Sequence, residues 1–507
     1  MEEDPACHLT GEHLIEPPRR TFFPQHIPTT VDQCNVVQVT IDMVPDVALI
    51  EIFDFYMTEA LGYDPFRDNT EAWTILAHVC RKWRDIVFGS PSRLNVRIFF
   101  KPRRSVRKML DTWPPLPVDI WGDGHDLRTW GVDNIVAALE HNDRINTIDL
   151  LCSSKFIMEP VLAAMQKPFP SLRELSVSVP YESVGLLVPD LILSGSAPLL
   201  RSLRLKNFPF PLPALRNLLL SATGLVELRI LRISESGFIS PESVTTCLSG
   251  LTRLEKFELG FQSPIPWGTR QSPPSTRCVL PALTSLRFNG QREYLELLIS
   301  SIDTPLLDDL DVSLFHSFVW DTPQLAQFVD RTPKLKAFHE AHFFFDDSDI
   351  FVSLPRTDRG GLRFIIARRS DFSDMVQLCT TSFLRTLIPT MKRLYIFDTG
   401  VPSFYSLNEV ESSQWLDFLR LFTAVGDLYL SRNFSPHIVA TLHRTLGEGM
   451  SEVLPSLQNL CLEKQSSPGP VEEAIEQSVA ALHLSNRPIT ISQWETVGYH
   501  WWPQEYQ

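Results

Sequence analysis

The chain has 507 residues, 44% hydrophobic and 21% charged, which is too long for one growing core and too apolar for wholesale disorder. Several domains or a repeat architecture are therefore expected. A formal net charge of -14 opposes nucleic-acid phosphate and anionic membrane over most of the surface, so neither is an expected partner. The eight cysteines (Cys7, Cys34, Cys80, Cys152, Cys247, Cys278, Cys379, Cys461) are spread without a Cys-x-x-Cys pair, which fits reduced intracellular thiols. The start Met1-Glu2-Glu3-Asp4 lacks a basic and apolar leader. No run reaches the roughly 18 apolar residues of a membrane helix, so cytoplasmic and/or nuclear residence is expected.

Residues 1–38, with Pro17, Pro18, Pro24 and Pro28 and little apolar periodicity, read as a disordered arm. At Pro45 and Asp46 a helix start is signalled, and Leu49, Ile52, Phe53, Tyr56 and Met57 follow at helical spacing. A second helix is expected through Leu76, Val79, Cys80, Trp83 and Val87, closed by Gly89, Ser90 and Pro91. These helices define a unit over 39–100, followed by a linking segment over 101–115. That segment holds the one basic run, Lys101-Pro102-Arg103-Arg104-Ser105-Val106-Arg107-Lys108, which reads as a solvated linker or an import signal.

From 116 to 495 an L-x-x-L-x-L spacing recurs. Units begin at Ile145, Leu172, Leu200, Leu225, Leu254, Leu283, Leu307, Leu335, Leu362, Met391, Val425 and Leu457. Val118 and Ile120 would open the array atypically, Ile489 and Ile491 would close it, and 496–507 form a tail. A narrow period with this spacing means one short strand plus a helical or irregular return per unit, stacked so that each covers its neighbour's apolar face. The expected fold is α/β: an irregular leucine-rich-repeat solenoid, or horseshoe, of parallel short strands with helical returns behind a short helical domain. The register at Leu362 is ambiguous because Phe364, Ile365 and Ile366 form a continuous apolar run. The position where a leucine-rich repeat often has Asn holds Phe208, Ile233, Gln262 and Gln291, which predicts irregular returns.

The segment Val44-Pro45-Asp46-Val47-Ala48-Leu49-Ile50-Glu51-Ile52-Phe53, with Val79-Cys80-Arg81-Lys82-Trp83 and Ser90-Pro91-Ser92-Arg93-Leu94, resembles the F-box motif of mushroom-type fungal F-box proteins. Val47 stands where that motif commonly has Glu, and residues 58–72 lengthen the gap between its helices. The resemblance implies a substrate-recognition subunit of a cullin-RING (SCF-type) ubiquitin ligase. Pro45, Leu49, Ile50, Ile52, Phe53, Val79, Cys80 and Trp83 would contact the Skp-type adaptor, and the repeats would hold a client protein. The alternative reading of the residues is that the two stripes pack inward, leaving a repeat scaffold without a ligase link.

In a strand alternate side chains face opposite ways, so the x positions beside the later Leu should line the concave face of the solenoid. One such row reads Asp149, Ser176, Arg204, Arg229, Glu258, Arg287, Asp311, His339, Tyr395, Tyr429 and Cys461. The neighbouring row includes Glu227 and Lys256. Arg204, Arg229, Lys256, Arg287, Tyr395 and Tyr429 are thus the candidate client-binding residues, suited to an acidic or phosphorylated segment. The competing reading pairs Glu227 and Glu258 with these cations in a solvated ladder.

No catalytic residue, metal site or cofactor is expected. In His339-Glu340-Ala341-His342 the second His falls at i+3 instead of the i+4 of a zinc-binding helix, so a surface or strand-end histidine is preferred. Asp346-Asp347-Ser348-Asp349 lacks the Gly and distal Glu of a calcium loop. Trp121-Gly122-Asp123-Gly124 reads as a turn, and Ser194-Gly195-Ser196 lacks a nucleophile frame.

Overall fold

The computed structural model describes residues 41–494 except 62–69, 90–95, 101–104, 113–114, 123–128, 153, 180–185, 187, 265–276, 316–321, 337, 346–348, 357–359, 368–371, 381–383, 399–411, 448–452 and 465–488. The expected arm over 1–38 and tail over 496–507 lie outside the described residues, as do Lys101 to Arg104.

The chain enters through α1 (Asp46–Leu61), α2 (Thr70–Val79) and α3 (Arg81–Gly89). Leu49, Phe53 and Met57 form the buried stripe of α1 and meet Leu76, Ile86 and Val87 of the other two helices. The single second helix expected from Leu76 to Val87 is broken at Cys80. Both new ends are satisfied locally: Arg84 Nε donates to Ala77 O at 3.0 Å, and Cys80 Sγ accepts the Trp83 N–H at 3.4 Å. The unit expected to be helical over 39–100 ends in a strand, β1 (Val96–Phe99), and the segment expected to be a linker forms α4 (Val106–Thr112). Val106 and Leu110 are buried there, at the i and i+4 spacing that a short amphipathic helix needs. The sheet therefore starts at Val96, not at 116.

The strands follow in chain order: β2 (Val118–Gly122), β3 (Ile145–Leu151), β4 (Glu174–Ser178), β5 (Ser202–Lys206), β6 (Glu227–Ile233) and β7 (Lys256–Phe261). Next come β8 (Cys278–Val279), β9 (Ser285–Gly290), β10 (Ile302–Asp303), β11 (Asp309–Leu314), β12 (Glu340–Phe345) and β13 (Asp349–Pro355). The last are β14 (Gly361–Ala367), β15 (Arg393–Asp398), β16 (Asp427–Leu430), β17 (Asn459–Glu463) and β18 (Thr490–Trp494). All but the short parallel pair β8 and β10 join one 16-stranded sheet. Trp121 and Gly122 end a strand, and the rest of the expected turn from Asp123 lies outside the described residues.

Between the strands run α5 (Thr129–Leu139), α6 (Lys155–Ala164), α7 (Leu212–Ser221), α8 (Pro241–Leu248), α9 (Arg292–Ser300) and α10 (Pro323–Arg331). They continue as α11 (Phe372–Thr380), α12 (Leu384–Leu387), α13 (Ser412–Leu419) and α14 (Ser435–Gly447). Helices of neighbouring units touch in most places, among them α5 with α6, α8 with α9 and α9 with α10, and they form a second layer against the sheet. In β5, Leu203 and Leu205 point into that layer and are buried, while Arg204 stands on the opposite face. The resulting core is continuous from Leu49 to Ile489.

Units lacking an Asn ladder still stack in register, because the backbone at the turn before each strand supplies the bonds. Arg173 N donates to Asn146 O, Arg201 N to Arg173 O, Val226 N to Arg201 O and Glu255 N to Val226 O, at 2.7–2.8 Å. Side chains add isolated links: Asn207 Nδ2 donates to Val179 O at 3.0 Å, and the Glu296 carboxylate accepts the Gln324 and Leu325 N–H groups at the start of α10.

The expectation of uniformly parallel strands fails at one place. Spatially the order is β11, β14, β13, β12, β15, so the segment from Glu340 to Ala367 is inserted as a reversed meander with β13 antiparallel to both neighbours. Three residues separate β12 from β13, too few for a parallel crossover. The other turn ends in Gly360 and Gly361, with φ of 83° and 149°, and a Cβ on either would stand 2.6 Å from a backbone oxygen. The Leu335 unit shifts as well: Pro333–Leu335 is a 3-10 turn, and the strand begins only at Glu340 because Ala341, Phe343 and Phe345 supply its buried alternation.

Candidate functional site

Two surfaces carry the residues singled out by sequence. The first is the helical unit, where the predicted adaptor-binding set divides. Leu49 and Phe53 are fully buried, and Phe53 lies 4.7 Å from the Trp83 ring, so both help hold the unit together. Ile50 and Trp83 are partly buried against the same core, and the Cys80 thiol is engaged by Trp83 N–H. Pro45 is exposed, with its carbonyl accepting the Leu49 N–H at 3.1 Å. Ile52 and Val79 are open to solvent at 52% and 53% exposure.

Sequence reading missed the companions of that exposed pair. Val47 (68%), Phe55 (70%) and Ile75 (55%) are also bare. At 100° per residue, Val47 and Phe55 lie on the side of α1 opposite Leu49 and Phe53 with Ile52 on its flank, while Ile75 and Val79 are i, i+4 neighbours on α2. The sequence signal was present but masked: α1 is apolar nearly all round, and an apolar residue off the stripe looks like noise. Single exposed apolar residues are ordinary, whereas five on two adjoining helices make this face a candidate contact surface.

The second surface is the sheet face turned away from the helices. Strand register places Asp149, Ser176, Arg204, Arg229, Glu258, Arg287 and Asp311 in one line. The line continues through Arg363, Ser353, His342, Tyr395, Tyr429 and Cys461. His342 and not His339 occupies the histidine position, because β12 starts late. Lys256 sits in the adjacent line between Glu227 and Ser285.

Arg204, Arg229 and Arg363 of the middle strands are already answered. Glu227 accepts from Arg204 at 2.8 Å and from Arg229 at 2.5 Å, and Arg229 also reaches Glu258 at 3.5 Å. Arg363 lies 2.9 Å from Asp309 and 3.5 Å from Asp311. Arg393 pairs with Glu340, which also holds His342 at 3.3 Å. Burial lifts the Asp311 and Asp149 carboxyls above the usual range, against the pull of nearby Arg363 and Arg204 respectively. For Glu227 burial works the same way, but the Arg204 and Arg229 guanidiniums together outweigh it and hold the carboxyl below its ordinary value.

That depressed value makes Glu227 an acid-sensitive tie. Its stabilisation is fully present above the ordinary glutamate value of 4.5 and is lost as pH falls through the lower folded value. Glu227→Gln should therefore flatten the acid limb of a urea-midpoint profile below 4.5 and lower stability above it. An unchanged acid limb in the variant would remove Glu227 from that role.

The C-terminal strands carry rings in place of ions. Tyr395 and Tyr429 stack at 4.2 Å and 10°, and His342 lies 4.3 Å from Tyr395. Burial, reinforced by their neighbours, pushes both phenol groups upward, so they remain neutral donors at physiological pH. Among the described residues no cluster of three or more His, Cys, Asp or Glu has metal-site geometry. Asp346 to Ser348 lie outside the described residues.

No protein-family model matches the chain, and no curated protein matches it. Among solved structures, the leucine-rich repeat-containing protein LegL7 from Legionella pneumophila aligns over 76% of this chain and 98% of its own, at 10% identity and a TM-score of 0.28. The class of protein is accordingly read from this chain's own register. It is an α/β repeat protein with a long, mainly parallel sheet, a helical second layer and an N-terminal three-helix unit. Among the described residues no helix is long and apolar enough to cross a membrane.

Proposed function

We propose that this chain is a non-catalytic, protein-binding repeat protein acting as the substrate-recognition subunit of a cullin-RING ubiquitin ligase. The three-helix unit docks on a Skp-type adaptor, and the open sheet face holds the client. The observation that carries the docking half is the bare apolar surface of Val47, Ile52, Phe55, Ile75 and Val79, on the unit whose sequence resembles an F-box. Moving each such side chain from water into a dry contact is worth about 1.5–3 kcal/mol, enough together for a stable complex after the cost of association. The rigid solenoid then supplies proximity, placing a bound protein near a ubiquitin-carrying enzyme.

A second reading, a repeat scaffold without a ligase partner, is favoured by the inward packing of Leu49, Phe53 and Trp83, which makes the unit stable without help. The two are separated by capturing purified Skp-type adaptor on the full-length chain. The ligase reading expects capture by the wild type and its loss in the Ile52→Asp, Val79→Asp variant with an unchanged circular dichroism spectrum. No capture by the folded wild type would leave the scaffold reading.

A further inference from the structure

The sheet face changes character along its length, and the change bears on what it holds. In the middle strands Glu227 takes Arg204 and Arg229, two of the cations singled out by sequence, and Asp309 takes Arg363. Arg204 and Arg229 therefore have little charge left to offer an acidic segment. At the C-terminal end the balance reverses. Asp427 accepts the Asn459 amide at 2.6 Å, and among the described residues no cation pairs with it. Two residues along the same strand stands Tyr429.

Trp494 of β18 completes the arrangement. Its ring is 5.6 Å and 82° from Tyr429 and 6.1 Å and 72° from Tyr395. A ring nearly equidistant from two stacked plates and steep to both lies across their common edge. Trp494 Nε1 donates to Leu430 O at 3.2 Å, so the indole reaches over β17 and is pinned above β16. Its column in β17 is taken by Glu463, whose carboxylate is fixed by the Arg432 N–H at 2.9 Å. The result is a half-open indole surface beside a tyrosine wall, with Asp427 and Glu463 on either side.

We propose that this end of the sheet binds an extended protein segment through an arginine side chain, whose guanidinium lies on the Trp494 ring with its edge toward Tyr429 and pairs with Asp427. The aromatic quadrupole favours a cation, the planar guanidinium suits ring stacking, and the fixed carboxylates supply charge of the right sign. The segment belongs to the client, so the inference rests on the sheet-face half of the proposed function and not on adaptor docking. It reverses the sign expected from sequence, where the row of arginines pointed to an acidic client.

The test uses the full-length chain and a fluorescent, end-blocked Ser-Arg repeat peptide, beside the same peptide with citrulline for arginine. Citrulline keeps the shape and most donors but loses the charge. The proposal expects the citrulline peptide to bind at least about fivefold more weakly, and Asp427→Asn and Trp494→Leu each to weaken the arginine peptide about five- to tenfold. Glu255→Gln, an exposed carboxylate in the turn before β7, removes the same charge and should change nothing. Equal binding of both peptides, or an equal loss in Glu255→Gln and Asp427→Asn, would overturn it, as would tighter binding of a proline-repeat peptide. Asp427→Asn preserves shape and keeps the test readable if Trp494→Leu fails to fold. Retained adaptor capture by these variants separates failure here from failure of the docking reading.

Discussion

Phe343→Ala is expected to cost about 3–5 kcal/mol, the range for emptying a buried aromatic position. Phe343 is fully buried on β12, with Phe418 and Phe422 edge-on at 4.9 and 5.9 Å, and those two lie 5.0 Å apart. The three rings join the reversed meander to α13 and the turn after it, so the cavity would open where the repeat order changes. Helix and strand neighbours fixed on every side can collapse only partly into the space. Phe351→Ala, on the opposite and half-exposed face of β13, should cost far less. Urea midpoints of the two variants check this, and equal shifts would mean that the meander is not anchored through Phe343.

A second pair of substitutions, at adjacent positions, should behave in opposite ways. Phe53→Ala removes a fully buried ring that packs on Trp83, and a cost of about 3–5 kcal/mol is expected for the helical unit. Ile52→Asp replaces a side chain that is 52% exposed on the flank of the helix, and its stability should stay within about 0.5 kcal/mol of the wild type. Thermal unfolding followed by circular dichroism separates them. Their order is the direct consequence of which side of α1 faces inward. A destabilising Ile52→Asp would show that the bare face is covered in solution by the chain itself.

These contrasts also show what the sequence could reveal. The apolar spacing of Leu49, Phe53 and Met57, and the paired Leu203 and Leu205 of a repeat, located elements because burial on one face imposes that spacing. The Arg–Glu ladder was anticipated as one of two readings, since cross-strand neighbours of opposite charge find each other. The meander was not legible: Phe343 to Phe345 and Phe364 to Ile366 are apolar at every position and fit a parallel or an antiparallel neighbour alike. Orientation there was decided by three-residue and glycine turns, not by the strands. The late start of β12 hid behind Leu335 and Phe338, which mimic a repeat start but are buried in a turn and its exit.

Trp494 was invisible as a site residue for a different reason. It lies two strands away from Tyr429, and its role depends on reaching back over β17, a contact that no spacing rule encodes. The split of the predicted adaptor-binding residues has a simpler cause. A short helix that is apolar on several faces gives no internal clue to which face its own unit will cover. Packing by α2 and α3 makes that choice.

Hydrogen exchange of the full-length chain, alone and with purified Skp-type adaptor, tests the central claim most directly. The account predicts slowed exchange confined to α1 and α2, where Val47, Ile52, Phe55, Ile75 and Val79 would become covered, with the sheet unchanged. Unaltered exchange in both helices at adaptor concentrations that saturate a known F-box protein would contradict it.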